Sequence, residues 1–242
     1  MRSLSERLTR LHSGHRAPRI AVLPDAVSLS DLPVPGGALR ACIGFGGDDV
    51  TAVEIDLLAH GHMAVCGPRG SGRTSTLLAL STSLARAQPA QRLALMSPRR
   101  HPRLSEAADW WRIATGMEQC RDLVTSLTTE LAGVAEPAVV LVDDAELLIE
   151  GPADSALRAL SRLGRDQPLR VVAAIEVRAL RRYSEWLAEL RESRHAVLLN
   201  PDVSADGEPF GAGSLPRPLR PWLPGRGLLI RAGQILPVQV AT

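Results

Sequence analysis

Apolar and polar positions change period several times along the chain, and each change marks an element. Leu4, Leu8 and Leu11 recur at helical spacing among Arg2, Glu6, Arg7 and Arg10. This predicts a short amphipathic helix, ended by Ser13-Gly14 and Pro18. Residues 19–24 read as a strand stopped by proline, and residues 28–33 as a helical turn. Strand-like runs at 40–45 and 50–55 flank Gly46-Gly47-Asp48-Asp49, a composition that favours a hairpin turn. From Gly61 onward, short apolar runs alternate with amphipathic stretches. The runs lie at 62–66, 92–96, 138–142, 169–175 and 196–199. The stretches lie at 74–87, with Leu77, Leu80, Leu84 and Ala87 on one face, and at 117–131, with Cys120, Leu123, Val124, Leu127 and Leu131 periodic. Two more cover 154–163 and 179–193. Residues 201–224 are rich in Gly, Pro and Ser and read as loop. Runs at 227–231 and 237–240 predict a closing hairpin around Ala232-Gly233.

Strands alternating with helices imply an α/β fold with a mainly parallel sheet covered on both faces. The chain divides into a linker helix at 1–18 and one α/β domain at 19–242. Within that domain, 19–58 form a small β-rich N-terminal layer, and 59–242 form the α/β core and C-terminal hairpin. The length of 242 residues suits one such domain, and 45% hydrophobic content suits a packed core. The net charge of +2 is nearly balanced and selects no class of partner. Three scattered cysteines, Cys42, Cys66 and Cys120, point to neither a disulfide framework nor a zinc site and fit a reducing compartment. The N-terminus has no apolar signal region, and no apolar run reaches the roughly 18–20 residues of a membrane span.

The chemistry concentrates in Gly67-Pro68-Arg69-Gly70-Ser71-Gly72-Arg73-Thr74, which fits the phosphate-loop pattern with arginine in the lysine place. Glycines there let backbone N–H groups turn inward around phosphate oxygens, and the following helix directs its positive N-terminus at the same anion. Gly67, Gly70, Ser71, Gly72, Arg73, Thr74 and Ser75 are the candidate nucleotide-binding residues, with Thr74 offering a hydroxyl to Mg²⁺. The run Val139-Val140-Leu141-Val142-Asp143-Asp144 ends a buried strand in acids. Asp143 is the second candidate Mg²⁺ residue, and Asp144 the candidate catalytic carboxylate. Glu146 is expected to lie on the next helix and face elsewhere.

Several positions depart from efficient phosphoryl transfer. The chain has no lysine, so all 28 basic side chains are arginine and none supplies an ammonium. Arginine is planar and larger than lysine, so the exchange at residue 73 changes geometry. Asp144 is a methylene shorter than glutamate. Glu176 follows the next strand, where a neutral phosphate sensor is expected. Together these favour holding nucleotide over turning it over.

The glycine loop with Arg-Thr, the VVLVDD strand, the segment from Ala17 to Pro33 and the tail Pro224-Gly225-Arg226-Gly227-Leu228-Leu229 resemble an FtsK/SpoIIIE-type ATPase domain. The closest resemblance is to the terminal, degenerate ATPase module of actinobacterial type VII secretion chains such as EccC. The resemblance implies a RecA-like fold, ATP and Mg²⁺ as ligands, and tandem or oligomeric ATPase modules as partners. It also implies a small helical secretion signal segment as a possible cargo, and a cytoplasmic location at the inner face of the plasma membrane through other segments. The N-terminal helix resembles a linker leaving a preceding module. One alternative is a DNA translocase subunit, for which Arg99, Arg100 and Arg103 in a loop, and Arg178, Arg181 and Arg182 on one helical face, are the candidate contacts. A second alternative is a structural module that takes no nucleotide.

Overall fold

The computed structural model describes residues 21–218 and 221–242, so the helix expected at 4–13 lies outside the described residues. Among the described residues ten strands, numbered β1 to β10 in chain order, form one sheet in the order β2-β1-β10-β9-β8-β3-β7-β6-β4-β5. β1 (Arg40–Gly46) and β2 (Thr51–Asp56) form the first hairpin, and the turn α1 (Leu57–His60) leads into β3 (Met63–Cys66). The long helix α2 (Arg73–Ala87) follows, then β4 (Arg92–Ser97), the turn α3 (Pro102–Ser105), β5 (Arg112–Thr115) and α4 (Met117–Glu130). β6 (Ala138–Val142), α5 (Asp154–Leu163), β7 (Leu169–Ile175), α6 (Glu185–Glu192) and β8 (His195–Leu199) complete the alternating core. β9 (Arg226–Arg231) and β10 (Gln234–Val240) close the chain.

The strands from β8 to β5 pair in parallel, while β9, β10, β1 and β2 extend the sheet antiparallel. The N-terminal β-rich layer and the C-terminal hairpin are thus continuous with the core, joined where Gly44, Phe45 and Gly46 meet Val240, Gln239 and Val238. Parallel strands are covered on both faces, which is why β3, β6 and β8 are buried throughout. Alternate residues divide into two cores. Met63, Val65 and Leu141 face Leu77, Leu80 and Leu84 of α2. Ala64, Cys66 and Val140 face Cys120, Val124 and Leu127 of α4, Leu157 and Leu160 of α5, and Trp186 of α6.

Most expected elements form within a residue or two of their sequence limits. Two expectations are corrected. Residues 21–24 are not a strand, because the chain there runs along the edge of the fold held by side-chain bonds to its carbonyls. The helix expected at 179–193 is broken. A 3₁₀ segment at Val177–Arg181 ends at Arg182, and α6 starts only at Glu185. The break lets Ser184 and Trp186 both donate to Asp154 Oδ1, at 2.9 and 2.8 Å. β5 had no sequence signal. It is a four-residue edge strand whose apolar residue, Ile113, stays exposed.

Histidines stand at the end of the sheet opposite the carboxyl ends of the parallel strands. His62 is buried and satisfied: Nε2 donates to the Ser161 carbonyl at 2.9 Å, and Nδ1 accepts from Val171 N–H at 3.0 Å. His195 is fully buried, stacked at a tilt on His60, and neither ring nitrogen has a partner among the described residues. Burial, reinforced by the nearby His60 and Arg231, pushes its pKa down to about 3. A base with a depressed folded pKa stays neutral while the unfolded chain protonates, so stability is lost as pH falls below the unfolded value near 6.5. The loss approaches about 1.4 kcal/mol per pH unit for one such group. Urea unfolding of the wild type and of His195→Leu from pH 7 to pH 4.5 should therefore show the variant gaining relative stability as pH drops. A difference that does not change with pH would show that His195 titrates normally.

Candidate functional site

A parallel sheet brings the carboxyl ends of its strands to one edge, and here that edge collects the candidate residues. β3 ends at Cys66 and runs into the glycine loop, and α2 begins at Arg73. Gly70 and Gly72 take positive φ, at 79° and 107°, so the loop turns back on itself before the helix starts. Among the described residues, no acceptor meets the N–H groups of Gly70 or Gly72. The first N–H groups of α2 are likewise free of intrahelical partners by geometry. The loop is therefore a set of unpaired donors at the N-terminus of a 15-residue helix, a cradle that suits a phosphate. Ser71 is buried beneath the loop, with its hydroxyl unpartnered among the described residues, and Ser75 is half-buried on the first turn of α2.

β7 lies between β3 and β6, so the acidic run after β6 stands one strand away from the loop. Side chains from the start of α2 and the end of β6 bridge that gap. Thr74 Oγ1 donates to both Asp143 oxygens at 3.2 Å. A hydroxyl and a carboxylate at this separation form a donor set of the oxygen type that Mg²⁺ takes, with water and phosphate completing its shell. Burial raises the pKa of Asp143, the adjacent Asp144 charge adds to this, and the Thr74 hydrogen bond opposes it. A divalent cation in the site would relieve both causes.

Asp144 holds a left-handed backbone, φ 44° and ψ 43°, unusual for a residue other than glycine. The chain reverses there into a 3₁₀ turn at Ala145–Leu147. That reversal corrects the expectation for Glu146, which faces into the site instead of away from it. Its Oε1 and Oε2 accept from Arg73 Nη1 at 3.1 and 3.3 Å, and Oε2 also accepts from the Glu176 N–H at 3.4 Å. Arg73 Nη2 lies 3.7 Å from Asp144 Oδ1, and Arg99 reaches the other oxygen of Asp144 at 3.6 Å. Arg73 is only 9% exposed. The side chain in the lysine place therefore leans across the sheet onto two carboxylates. Asp144, the candidate catalytic group, is held between two guanidinium groups. Glu176 contributes its backbone N–H, and among the described residues its carboxylate makes no ion pair.

Sequence reasoning turned Glu146 away from the site and set Arg99 among candidate DNA contacts, whereas both reach this edge. The available signal was the short spacing Asp143-Asp144-Ala145-Glu146, which returns a side chain to the same edge only when a tight turn follows the strand. The proposed basic face is also corrected. Arg181 pairs with Glu208 at 3.5 Å and Arg182 with Glu150 at 2.5 Å, while Arg178 sits on the same 3₁₀ segment instead of an α-helix. Glu185 and Glu189 turn to Arg158, Arg162 and Arg165 on and after α5. Two of the three candidate DNA contacts on that segment thus have an acid beside them at the surface.

Removing one partner of a mostly buried pair leaves an uncompensated charge. Glu146→Ala should destabilise the protein by about 1–2 kcal/mol, because both side chains keep some solvent contact. It should also tighten binding of ATP–Mg²⁺, since Arg73 would no longer have to leave a carboxylate. Chemical denaturation and calorimetric titration read the two effects; looser binding would mean that Glu146 supports the ligand instead of competing with it.

No family model matches this chain, and no curated protein matches it in sequence. Solved structures do match it. EccC ATPases 2 and 3 from Thermomonospora curvata, in complex with a signal sequence peptide, superpose over 99% of this chain and 47% of that one, with 19% identity and a TM-score of 0.73. EssC ATPases 2 and 3 from Geobacillus thermodenitrificans superpose over 98% and 48%, with 18% identity and a TM-score of 0.73. The pCW3 conjugation coupling protein TcpA with ATPγS superposes over 91% and 71%, with 13% identity and a TM-score of 0.68. The chain spans about half the length of the EccC and EssC structures it matches. Its fold, over nearly all of its length, is that of the RecA-like P-loop ATPase modules found in type VII secretion ATPases.

Proposed function

We propose that this chain is an ATP-binding module of a type VII secretion or FtsK/SpoIIIE-type motor, with weak or absent hydrolysis and a regulatory or substrate-recruiting role. The observation that carries the reading is the position of Arg73. The backbone cradle from Gly67 to Thr74 suits phosphate, but the guanidinium in the lysine place is tied to Glu146 and lies near Asp144. Gly67, Gly70, Ser71, Gly72, Arg73, Thr74 and Ser75 would hold the nucleotide, and Thr74 with Asp143 would hold Mg²⁺. Bound Mg²⁺ would neutralise phosphate charge beside the acidic strand end. Asp144 between Arg73 and Arg99 is a poor candidate for polarising water, because each of its oxygens already faces a guanidinium group. Positioning of a transferred phosphoryl group is the step most sensitive to such departures.

The likeness to tandem EccC and EssC ATPases supports other ATPase modules as partners, and the peptide complex of the Thermomonospora curvata protein supports a secretion signal segment as cargo. No helix among the described residues is long and apolar enough to cross a membrane, so any work at the inner face of the plasma membrane would rest on other segments. The acids beside Arg181 and Arg182 reduce the positive potential of that surface and weigh against a DNA translocase subunit.

ATP–Mg²⁺ at a hundredfold excess over its Kd should stabilise the fold by about 2.7 kcal/mol, because it binds only the folded state. Turnover should stay below about 1 s⁻¹, the low end for ordinary enzymes. No thermal shift would return the chain to a structural module, while faster turnover would make it a working ATPase. Asp143→Asn should reduce the Mg²⁺ dependence of ATP binding and leave metal-free phosphate binding largely unchanged. Salt-dependent duplex binding at physiological ionic strength would restore the translocase reading.

A further inference from the structure

We propose that Arg226 and Gln239 are positioning residues for the phosphate loop, and that through them the segment containing Leu23, Pro24 and Asp25 is linked to nucleotide binding. The proposal rests on the nucleotide-binding reading above and adds how the site is held.

The loop is not supported by its own sequence alone. The Gly225 N–H donates to the Ser71 carbonyl at 2.9 Å. The two backbones touch: a Cβ on Gly72 would lie 3.1 Å from the Gly225 nitrogen. Gly225 itself has φ of 75°, and a Cβ there would stand 3.0 Å from Gln239 Nε2 and from the Val240 carbonyl. The tail therefore packs against the loop, backbone on backbone, at the point where the loop turns into α2.

A short chain of bonds fixes that tail. The Val240 N–H donates to the Gly225 carbonyl at 2.8 Å, and Gln239 Nε2 donates to the Pro224 carbonyl at 3.0 Å. Gln239 is 1% exposed, between Val238 and Val240 on a strand that an apolar residue would fill at lower desolvation cost. Its Oε1 accepts from Arg226 Nε at 2.7 Å. Arg226 has 15% of its side chain exposed. Its Nη2 donates to the Pro24 carbonyl at 2.5 Å and the Leu23 carbonyl at 3.4 Å, and lies 3.6 Å from Asp25 Oδ1. The planar guanidinium serves both directions at once, which lysine does not do. Farther along, the Thr242 N–H donates to the Val27 carbonyl at 3.1 Å. An unbroken path of hydrogen bonds thus runs from the carbonyls at 23 and 24 through Arg226 and Gln239 to Pro224, Gly225 and Ser71.

A cradle built from backbone N–H groups binds phosphate in proportion to how often those groups are in place. Displacing the leading segment loosens Arg226, then the tail, then the loop. Linkage is reciprocal, so nucleotide in the cradle holds the leading segment more firmly.

The test uses the full chain and ATP–Mg²⁺, with affinity read by calorimetry and backbone protection by hydrogen exchange. Arg226→Lys and Gln239→Leu should each weaken binding about tenfold, within the usual range of coupling between linked sites. Without nucleotide, both should speed exchange in residues 67–76 and leave β6 unchanged. Arg231→Gln is the control. Arg231 also donates to a backbone carbonyl, Glu54 at 3.3 Å, but from the far end of β9, and it should change neither readout. Gln239→Leu replaces a buried polar group with an apolar one of similar volume, so it keeps the test alive if Arg226→Lys fails to fold. ATP–Mg²⁺ should slow exchange at Thr242 in the wild type and lose that effect in the variants. Variants that loosen residues 21–27 but leave loop exchange and affinity intact would overturn the proposal. Should the wild type bind no ATP, the nucleotide reading falls, and exchange in residues 67–76 decides the positioning role alone.

Discussion

The fold depends on the order of its parallel strands. Inserting β7 between the loop-bearing β3 and the acid-bearing β6 sets the loop and the acids one strand apart. At a strand spacing of about 4.8 Å, that separation is left for side chains of the loop, the helix start and the strand end to close. Arg73 and Glu146 close it, and Glu146 ties in the end of β7 as it does so. The same spacing leaves Thr74 and Asp143 close enough to share a proton or a cation. Everything chemical at this edge follows from which side chains can cross one intervening strand.

Two supports hold the loop from different directions. On the core side, charge holds it: a guanidinium among carboxylates, nearly out of water. On the antiparallel side, the backbone bond from Gly225 to Ser71 holds it, with Gly72 and Gly225 letting the main chains touch. The opposite end of the sheet is built otherwise. Arg170 donates to the carbonyls of Leu57, Leu58, Gly164, Gln167 and Leu169 and meets no acid among the described residues. Burial lowers its pKa, and the carbonyls fasten β7 to α1 without any group that a ligand would displace. One end of the sheet is rigid structure, and the other keeps its donors unspent.

Much of this was legible in the sequence. The buried strands at 138–142 and 169–175 and the helix at 154–163 match the sequence limits, because their patterns were long and unambiguous. The strand, glycine loop and helix from Met63 to Ala87 were legible because glycines at that spacing mark a turn between a buried strand and an amphipathic helix. What sequence could not supply was direction. A helix pattern over 179–193 hid a break that only the demand of Asp154 for two donors explains. Glu146 was placed on the wrong side because nothing in its neighbours announced a left-handed Asp144. Arg226 sat in a tail recognisable as a motif, but its bonds to Leu23 and Pro24 reach back about two hundred residues, beyond any local pattern. β5 escaped notice because four residues on an open edge bury too little to leave a period.

The cradle and its floor carry opposite polarity. Unpaired N–H groups and the start of α2 make the rim positive, while Asp143, Asp144 and Glu146 outnumber Arg73 and Arg99 beneath it. A bare triphosphate would be drawn to the rim and repelled from the floor. One that arrives with its own divalent ion satisfies both, because the ion neutralises the acids as the oxygens take the donors. On the nucleotide-binding reading proposed above, the cleft would act as a charge filter that ranks ligands by the cation they bring with them.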